Sequence, residues 1–265
     1  MEGFVDLELR DKTVMVWGAS KGLGLAIAEC LAEEGASTVL VARSQQRLEQ
    51  AVSLITAKGG KAAAIAADIG NWQSVERALE SMRAMFGGPD ILINNSGGPP
   101  PVDETRVDAP LWQSQFEAMV LNQMRITEAV LPAMRAKRFG RIISVSGTSI
   151  IEPFAALAIS NSLRAALAGW MKTLAGEVAK DGVTVNLLLP GSFATERVSD
   201  LDRLAAQRQG VAVSTVAEAN LRDIPAGRYG EPQEFGQFAA FIASPKAGYI
   251  TGTALRIDGG ATRSL

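Results

Sequence analysis

The sequence contains no histidine, one cysteine and two tyrosines in 265 residues. Without imidazole the commonest general base, every Ser-His triad and every histidine metal site are excluded, and no metal centre is expected. A single cysteine excludes an intrachain disulfide. Cys30 falls within the apolar pattern AIAECLAEEGA, where a thiol reads as a small core side chain. Long apolar runs are missing as well: none approaches the roughly 18 residues that a bilayer span requires. The stretch MEGFVDLELRDK is acidic where a secretory signal would be basic and then apolar. A cytoplasmic protein with no membrane partner is therefore expected. Nor is there an excess of positive charge, since 26 Lys and Arg face 28 Asp and Glu and are scattered, which argues against nucleic acid as a partner. Any catalysis has to use hydroxyls, amines, guanidinium groups, carboxylates or a cofactor.

What is present is a regular alternation. Apolar runs at 13–17, 37–42, 62–67, 90–94, 141–145 and 184–189 have little polar alternation, as strands do when both faces of a parallel sheet are covered. Helical patterns lie between them at 22–34, 44–58, 71–86, 111–137 and 157–180, and another at 231–243 precedes a last strand near 253–257. This order predicts an α/β fold: one Rossmann-type domain over 1–265, a doubly wound parallel sheet of about seven strands with helices on both faces. No repeat or linker interrupts it. The stretches 96–110 and 192–228 are looser. Because 192–228 follows a strand C-terminus, where ligand crevices form, it is a candidate substrate lid, with an oligomer contact or a surface insertion as alternatives.

The strand TVMVW runs directly into GASKGLG and a helix. Glycines let the backbone turn there, and the first amides of the helix point outward, which makes a pyrophosphate site. The candidate contacts are Gly18, Ser20, Lys21, Gly22, Leu23 and Gly24. At the end of the second strand an NAD site would carry an acid for the ribose hydroxyls; this chain has Arg43. With Lys21 it offers two cations to a 2′-phosphate, so NADP(H) is favoured over NAD(H).

Further motifs follow in order: Asp68-Ile69 after the third strand, Asn94-Asn95-Ser96-Gly97 after the fourth, Asn122 in the long helix, RIISVS, Pro190-Gly191 with Thr195, AGRYGEPQE and ITGTALRIDGG. With these motifs over its whole length the chain resembles the short-chain dehydrogenase/reductase family, in particular its 3-oxoacyl-carrier-protein reductases and related small carbonyl reductases. The resemblance implies that Asp68 and Ile69 lie by the adenine. It places Asn95, Ser96 and Gly97 at the adenosine ribose, and Pro190, Gly191, Phe193 and Thr195 beside the nicotinamide. It also implies a small carbonyl or alcohol substrate and a homotetramer or homodimer.

The departures from the family pattern fall on its catalytic Asn, Ser, Tyr and Lys. Aligned without gaps, the Tyr position is Ser160, the Lys position is Arg164 and the usual Ser position is Gly147; Asn122 alone is unchanged. Tyr229 and Tyr249 stand where similar proteins carry structural aromatics, and Trp17 replaces a usual Thr beneath the glycine loop. Asn122, Ser160 and Arg164 are the candidate catalytic residues, Arg164 also reaching for a ribose. Four residues apart on a helix, Ser160 and Arg164 face each other. The guanidinium stays a cation, so it binds an oxyanion but does not relay protons, and an aliphatic hydroxyl is a weaker acid than a phenol. Ser146, Thr148, Ser149 and Asn161 add polar groups nearby, and Ile150, Ile151, Pro153 and Phe154 suit an acyl chain, a sugar or a terpenoid ketone equally. Three readings follow: an NADP(H)-dependent oxidoreductase with an altered proton relay, a catalytically silent NADP-binding sensor or partner subunit, and a non-redox enzyme on the same fold.

Overall fold

The computed structural model describes residues 6–99, 101, 106–155 and 157–264. The first half alternates strictly: Thr13–Trp17 (β1), Gly22–Glu33 (α1), Ser37–Ala42 (β2), Gln45–Ala57 (α2), Lys61–Ala66 (β3), Trp72–Phe86 (α3) and Ile91–Asn94 (β4). It continues with Ala109–Phe116 (α4), Asn122–Lys137 (α5), Gly140–Val145 (β5), Ala158–Val178 (α6), Val183–Pro190 (β6), Glu196–Gln209 (α7), Val213–Arg222 (α8), Pro232–Ala243 (α9) and Ala254–Ile257 (β7). The seven strands form one parallel sheet in the order β3-β2-β1-β4-β5-β6-β7. The order reverses between β1 and β4, so their C-terminal ends open a crevice into which the segments after both strands lead.

Strand periodicity sorts the core into two layers. Val14 and Val16 of β1 pack with Ile27 and Leu31 of α1, Leu48 of α2 and Phe235 of α9. Met15 and Trp17, pointing the other way, pack with Leu79 of α3, Ile126 of α5 and Leu167 of α6. Trp17 is almost fully buried there, in the layer beneath the glycine loop. Cys30 is a buried core thiol whose pKa burial pushes up to about 11, which leaves it unreactive at neutral pH. Among the described residues no helix is long and apolar enough to cross a membrane.

Three elements differ from the sequence expectation. The helix expected over 111–137 begins at Ala109, because Asp108 caps it by accepting from the Leu111 amide at 3.1 Å. It is also interrupted by a π-helical turn, Glu117–Leu121, directly before Asn122. Within 192–228 the chain folds into α7 and α8, started by the Thr195 cap and ended in α7 by left-handed Gly210, so the segment is helical. β3 lies at the sheet edge and is only partly covered. Pro100 and residues 102–105 of the loose stretch 96–110 lie outside the described residues.

Candidate active site

The glycine loop after β1 is held by contacts that exclude side chains. Gly18 adopts φ +64°, and a Cβ on it would lie 2.5 Å from the Asn95 carbonyl oxygen. A Cβ on Gly24 would lie 2.3 Å from the Gly18 carbonyl oxygen, and Asn95 Nδ2 donates to that same oxygen at 3.2 Å. The loop after β4 thus fastens the loop after β1 across the switch point. Lys21 sits at the N-cap of α1 without a side-chain cap, and no acid occupies the first turn, so the outward amides there remain available to an anion. Ser20 and Leu23 lie partly exposed along the same turn.

At the expected adenosine end, Arg43 is exposed at the tip of β2. Lys21 instead reaches Glu196 of α7 at 2.5 Å, and Arg47 of α2 reaches the same carboxylate at 3.4 Å. The hydrogen bond from Lys21 and its charge hold the Glu196 carboxyl below the usual range. Neither Arg47 nor Glu196 was legible as a site residue in the sequence. The available signal was Ser44, which caps α2 through the Arg47 amide and so fixes Arg47 in the first turn beside Arg43.

Asp68 Oδ1 accepts from the Gly70 amide at 3.0 Å, and the Ile69 carbonyl accepts from Asn122 Nδ2 at 2.7 Å. The side-chain amide of Asn122 therefore ties the start of α5 to the loop after β3. Ser96 accepts from Gln123 Nε2 in a buried polar layer, and Gly97 is exposed. Gly191, following Pro190, packs so closely on Asp258 that a Cβ would lie 2.7 Å from its Cα. The Phe193 ring is buried in the core, edge-on to Phe235 with centroids 5.3 Å apart. Thr195 caps α7, and its methyl lies 3.7 Å from where a Cβ of Gly22 would be, which puts the start of α7 against the glycine loop.

Ser160 and Arg164 meet as helical spacing requires. Arg164 Nε donates to Ser160 Oγ at 3.1 Å and Nη1 donates to the Val145 carbonyl at 3.0 Å, at the end of β5. Ser160 is buried and Arg164 partly so. Burial, and then the neighbouring Arg197 charge, push the Arg164 pKa down to about 10, which still leaves a cation at neutral pH. Ser160 Oγ thus accepts a charge-assisted hydrogen bond from the guanidinium. Ser146 follows Val145 and has a buried hydroxyl with no hydrogen-bond partner among the described residues. Gly147 is extended, and a Cβ on it would meet Ser149 Oγ at 3.7 Å and Arg164 Cδ at 3.9 Å, ordinary contacts that leave room for a side chain. Asn161 Nδ2 donates to the Phe154 carbonyl, holding the segment that leads into α6. The two phenols are engaged elsewhere or turned away: Tyr229 donates to Asp202 of α7 at 3.0 Å, and Tyr249 is fully exposed.

A parallel sheet reversed at β1/β4, a glycine loop fastened at that reversal and a polar pair at the end of β5 define a dinucleotide-binding α/β protein of the oxidoreductase type. The family model described as enoyl-(acyl carrier protein) reductase matches residues 18–262. The chain is 37% identical over 254 residues to the 3-oxoacyl-[acyl-carrier-protein] reductase FabG of Vibrio cholerae, covering 96% of this chain and 98% of that one. It superposes on L-sorbose reductase from Gluconobacter frateurii, complexed with NADPH and L-sorbose, with a TM-score of 0.93 at 33% identity, covering 98% of this chain and all of that one. YwfH, an NADPH-dependent reductase involved in bacilysin biosynthesis, superposes with a TM-score of 0.91 at 29% identity over 96% and 99% of the two chains. The protein belongs to the short-chain dehydrogenase/reductase family and is similar to its 3-oxoacyl-carrier-protein reductases.

Proposed function

We propose that the protein is an NADP(H)-dependent oxidoreductase that interconverts a small carbonyl compound and its alcohol, with Ser160 and Arg164 in the places of the family's Tyr and Lys. The observation that carries this reading is the 3.1 Å bond from Arg164 Nε to Ser160 Oγ, which sets a permanent cation behind the hydroxyl at the family's Tyr position. The crevice suits a dinucleotide because Gly18 and Gly24 let the loop pack tightly against Asn95 and Gly22 leaves its own side-chain space open, beside the uncapped first turn of α1. Gly18 to Gly24 would hold the pyrophosphate and Arg164 the nicotinamide ribose. Asp68, Ile69, Asn95 and Gly97 would lie along the adenosine, and Pro190, Gly191 and Thr195 along the nicotinamide. When bound, the reduced nicotinamide supplies a hydride to the carbonyl carbon.

As the carbonyl π pair moves onto oxygen, the Ser160 hydroxyl donates to that oxygen. Arg164 offsets the developing negative charge without itself giving up a proton. The proton that ends on the alcohol is drawn from solvent through Ser160 or a bound water. Asn122, tied to Ile69, is a positioning residue for α5 on this reading. A preference for NADP(H) is supported by the Lys21, Arg43 and Arg47 cations and by the NADPH of the solved relatives. Helices α7 and α8 act as the lid, and the exposed Phe116 and Phe241 support a homodimer or homotetramer, to be checked by light scattering.

The test is titration with NADPH followed by turnover. Bound cofactor shifts its fluorescence, and NADPH is consumed against at least one of a panel of ketones, β-ketoesters, oxo acids and quinones. Binding with no consumption across the panel assigns the protein to the silent, cofactor-binding reading. Absence of binding to either nicotinamide at millimolar concentration overturns both readings.

A further inference from the structure

Arg164 and Arg197 converge on one spot, and among the described residues no acid pairs with either. A Cβ built on Gly98, in the loop after β4, would lie 3.4 Å from Arg197 Nη2 and 3.9 Å from Arg164 Nη2. Arg164 spends Nε on Ser160 and Nη1 on the Val145 carbonyl, and Arg197 spends Nη2 on the Pro99 carbonyl. Among the described residues neither forms an ion pair. The neighbouring acid Glu196 is held by Lys21 and Arg47. Arg197 is also the second residue of α7, in its first turn, where the helix dipole disfavours a cation. Two guanidinium groups and a helix N-terminus therefore add positive potential around a side-chain-free position, at a cost that a bound anion would remove.

The place of this spot limits what the anion is. The guanidinium of Arg164 that turns Nη2 toward it also holds the Ser160 hydroxyl through Nε, so the anion lies beside the oxygen that Ser160 would serve. A neutral ketone or a thioester-linked acyl chain leaves both charges unanswered; an oxo acid answers them. Resting on the oxidoreductase reading above, we propose that the substrate is a 2- or 3-oxo acid, or the matching hydroxy acid, whose carboxylate is bound between Arg164 and Arg197 over Gly98 while its carbonyl oxygen faces Ser160. The reaction is a two-electron reduction: one hydride from the reduced nicotinamide to the carbonyl carbon, one proton from solvent to its oxygen, and the oxo acid leaves as a hydroxy acid while the nicotinamide is oxidised. Arg197 then determines specificity. Because it rides on α7, the carboxylate also gives the lid a reason to close on this substrate class.

The experiment uses the NADPH-loaded protein with matched acid and ester pairs: acetoacetate against ethyl acetoacetate, and 2-oxo-4-phenylbutyrate against its ethyl ester. The acid of at least one pair is expected to have a kcat/KM about 10- to 100-fold above its ester, the range of a charge-assisted bidentate contact. Arg197→Gln should remove that preference, mainly through KM, with NADPH affinity unchanged, and Arg197→Lys should restore part of it. Equal turnover of acid and ester overturns the proposal. So does an Arg197→Gln variant that weakens NADPH binding and spares the preference, because the guanidinium pair then serves the cofactor's pyrophosphate. Thermal shift keeps the anion site testable if no substrate turns over. Acetoacetate, unlike its ester, should then raise the melting temperature of the parent and leave that of Arg197→Gln unmoved. A shift there with no turnover sinks the oxidoreductase reading while sparing the site, and no shift with no turnover sinks both.

Discussion

Replacing Ser160 by alanine separates the chemical role of the hydroxyl from its structural one. In the folded protein Ser160 Oγ accepts from Arg164 Nε at 3.1 Å, and the guanidinium's other protein acceptor is the Val145 carbonyl. Alanine removes one charge-assisted hydrogen bond, and leaving a partly buried donor unmet costs about 1–3 kcal/mol. Alanine also gains about 0.5 kcal/mol of helix propensity over serine, so the net loss should be about 0.5–2.5 kcal/mol. In a chain of this length that lowers the melting temperature by about 1–10 °C, measurable by calorimetry or by urea denaturation. The effect on turnover should be larger, because a donor aimed at a developing oxyanion is worth about 10²–10³ in kcat. Ser160→Thr, which keeps the hydroxyl, should retain most of the rate. Steady-state NADPH oxidation with the best substrate of the panel reads both variants. A Ser160→Ala enzyme with kcat within about threefold of the parent would refute the hydroxyl's part in catalysis, because such a donor is worth far more. If its stability were also unchanged, the Arg164–Ser160 bond would not be present in solution.

Gly24→Ala should abolish dinucleotide binding or folding, since its Cβ would lie 2.3 Å from the Gly18 carbonyl and 2.6 Å from Asn95 Nδ2, and fluorescence titration of whatever protein remains soluble checks it. Arg43→Asp should weaken NADPH by about tenfold or more while affecting NADH less, and equal losses would remove Arg43 from 2′-phosphate recognition. Glu196→Gln frees Lys21 and Arg47 and should tighten NADPH by about two- to fivefold at low salt, an advantage that fades as salt screens the cations. Asp90 supplies a pH dependence. Burial pushes its carboxyl up, but bonds from Lys137 at 2.7 Å and from the Thr13 amide at 2.9 Å prevail and hold it below its ordinary value. A carboxyl depressed on folding contributes stability above its unfolded pKa of about 3.9 and loses it as pH falls through the lower folded value. Asp90→Asn should therefore flatten the fall in melting temperature below about pH 5.

The candidate site was legible where it depends on local chain chemistry. GASKGLG between a strand and a helix marks a tight turn into an uncapped helix start because glycine conformation and helix start are set by neighbouring residues. Ser160 and Arg164 meet because a helix brings positions four apart together. Where the outcome depended on distant segments, reading along the chain was blind. Lys21, expected at a 2′-phosphate with Arg43, meets Glu196, 175 positions away in sequence. The tract 192–228, which reads as a loose polar segment, folds as two helices because the Thr195 cap and Gly210 act as local stops inside a stretch with a weak apolar stripe.

By itself the sequence determined the two-layered parallel sheet, the glycine loop and the presence of Ser160 and Arg164 four residues apart on one helix. Each of these follows from residue identity and short-range period. Only the tertiary structure decided that Asn95 fastens the glycine loop, that Asn122 spends its amide on Ile69 after a π-helical turn, and that Arg164 and Arg197 face the same gap over Gly98. These depend on how the C-terminal ends of β4 and β5 sit beside the start of α7. Strand pairing and layer packing fix that arrangement through contacts between residues remote in the chain, which no local pattern encodes.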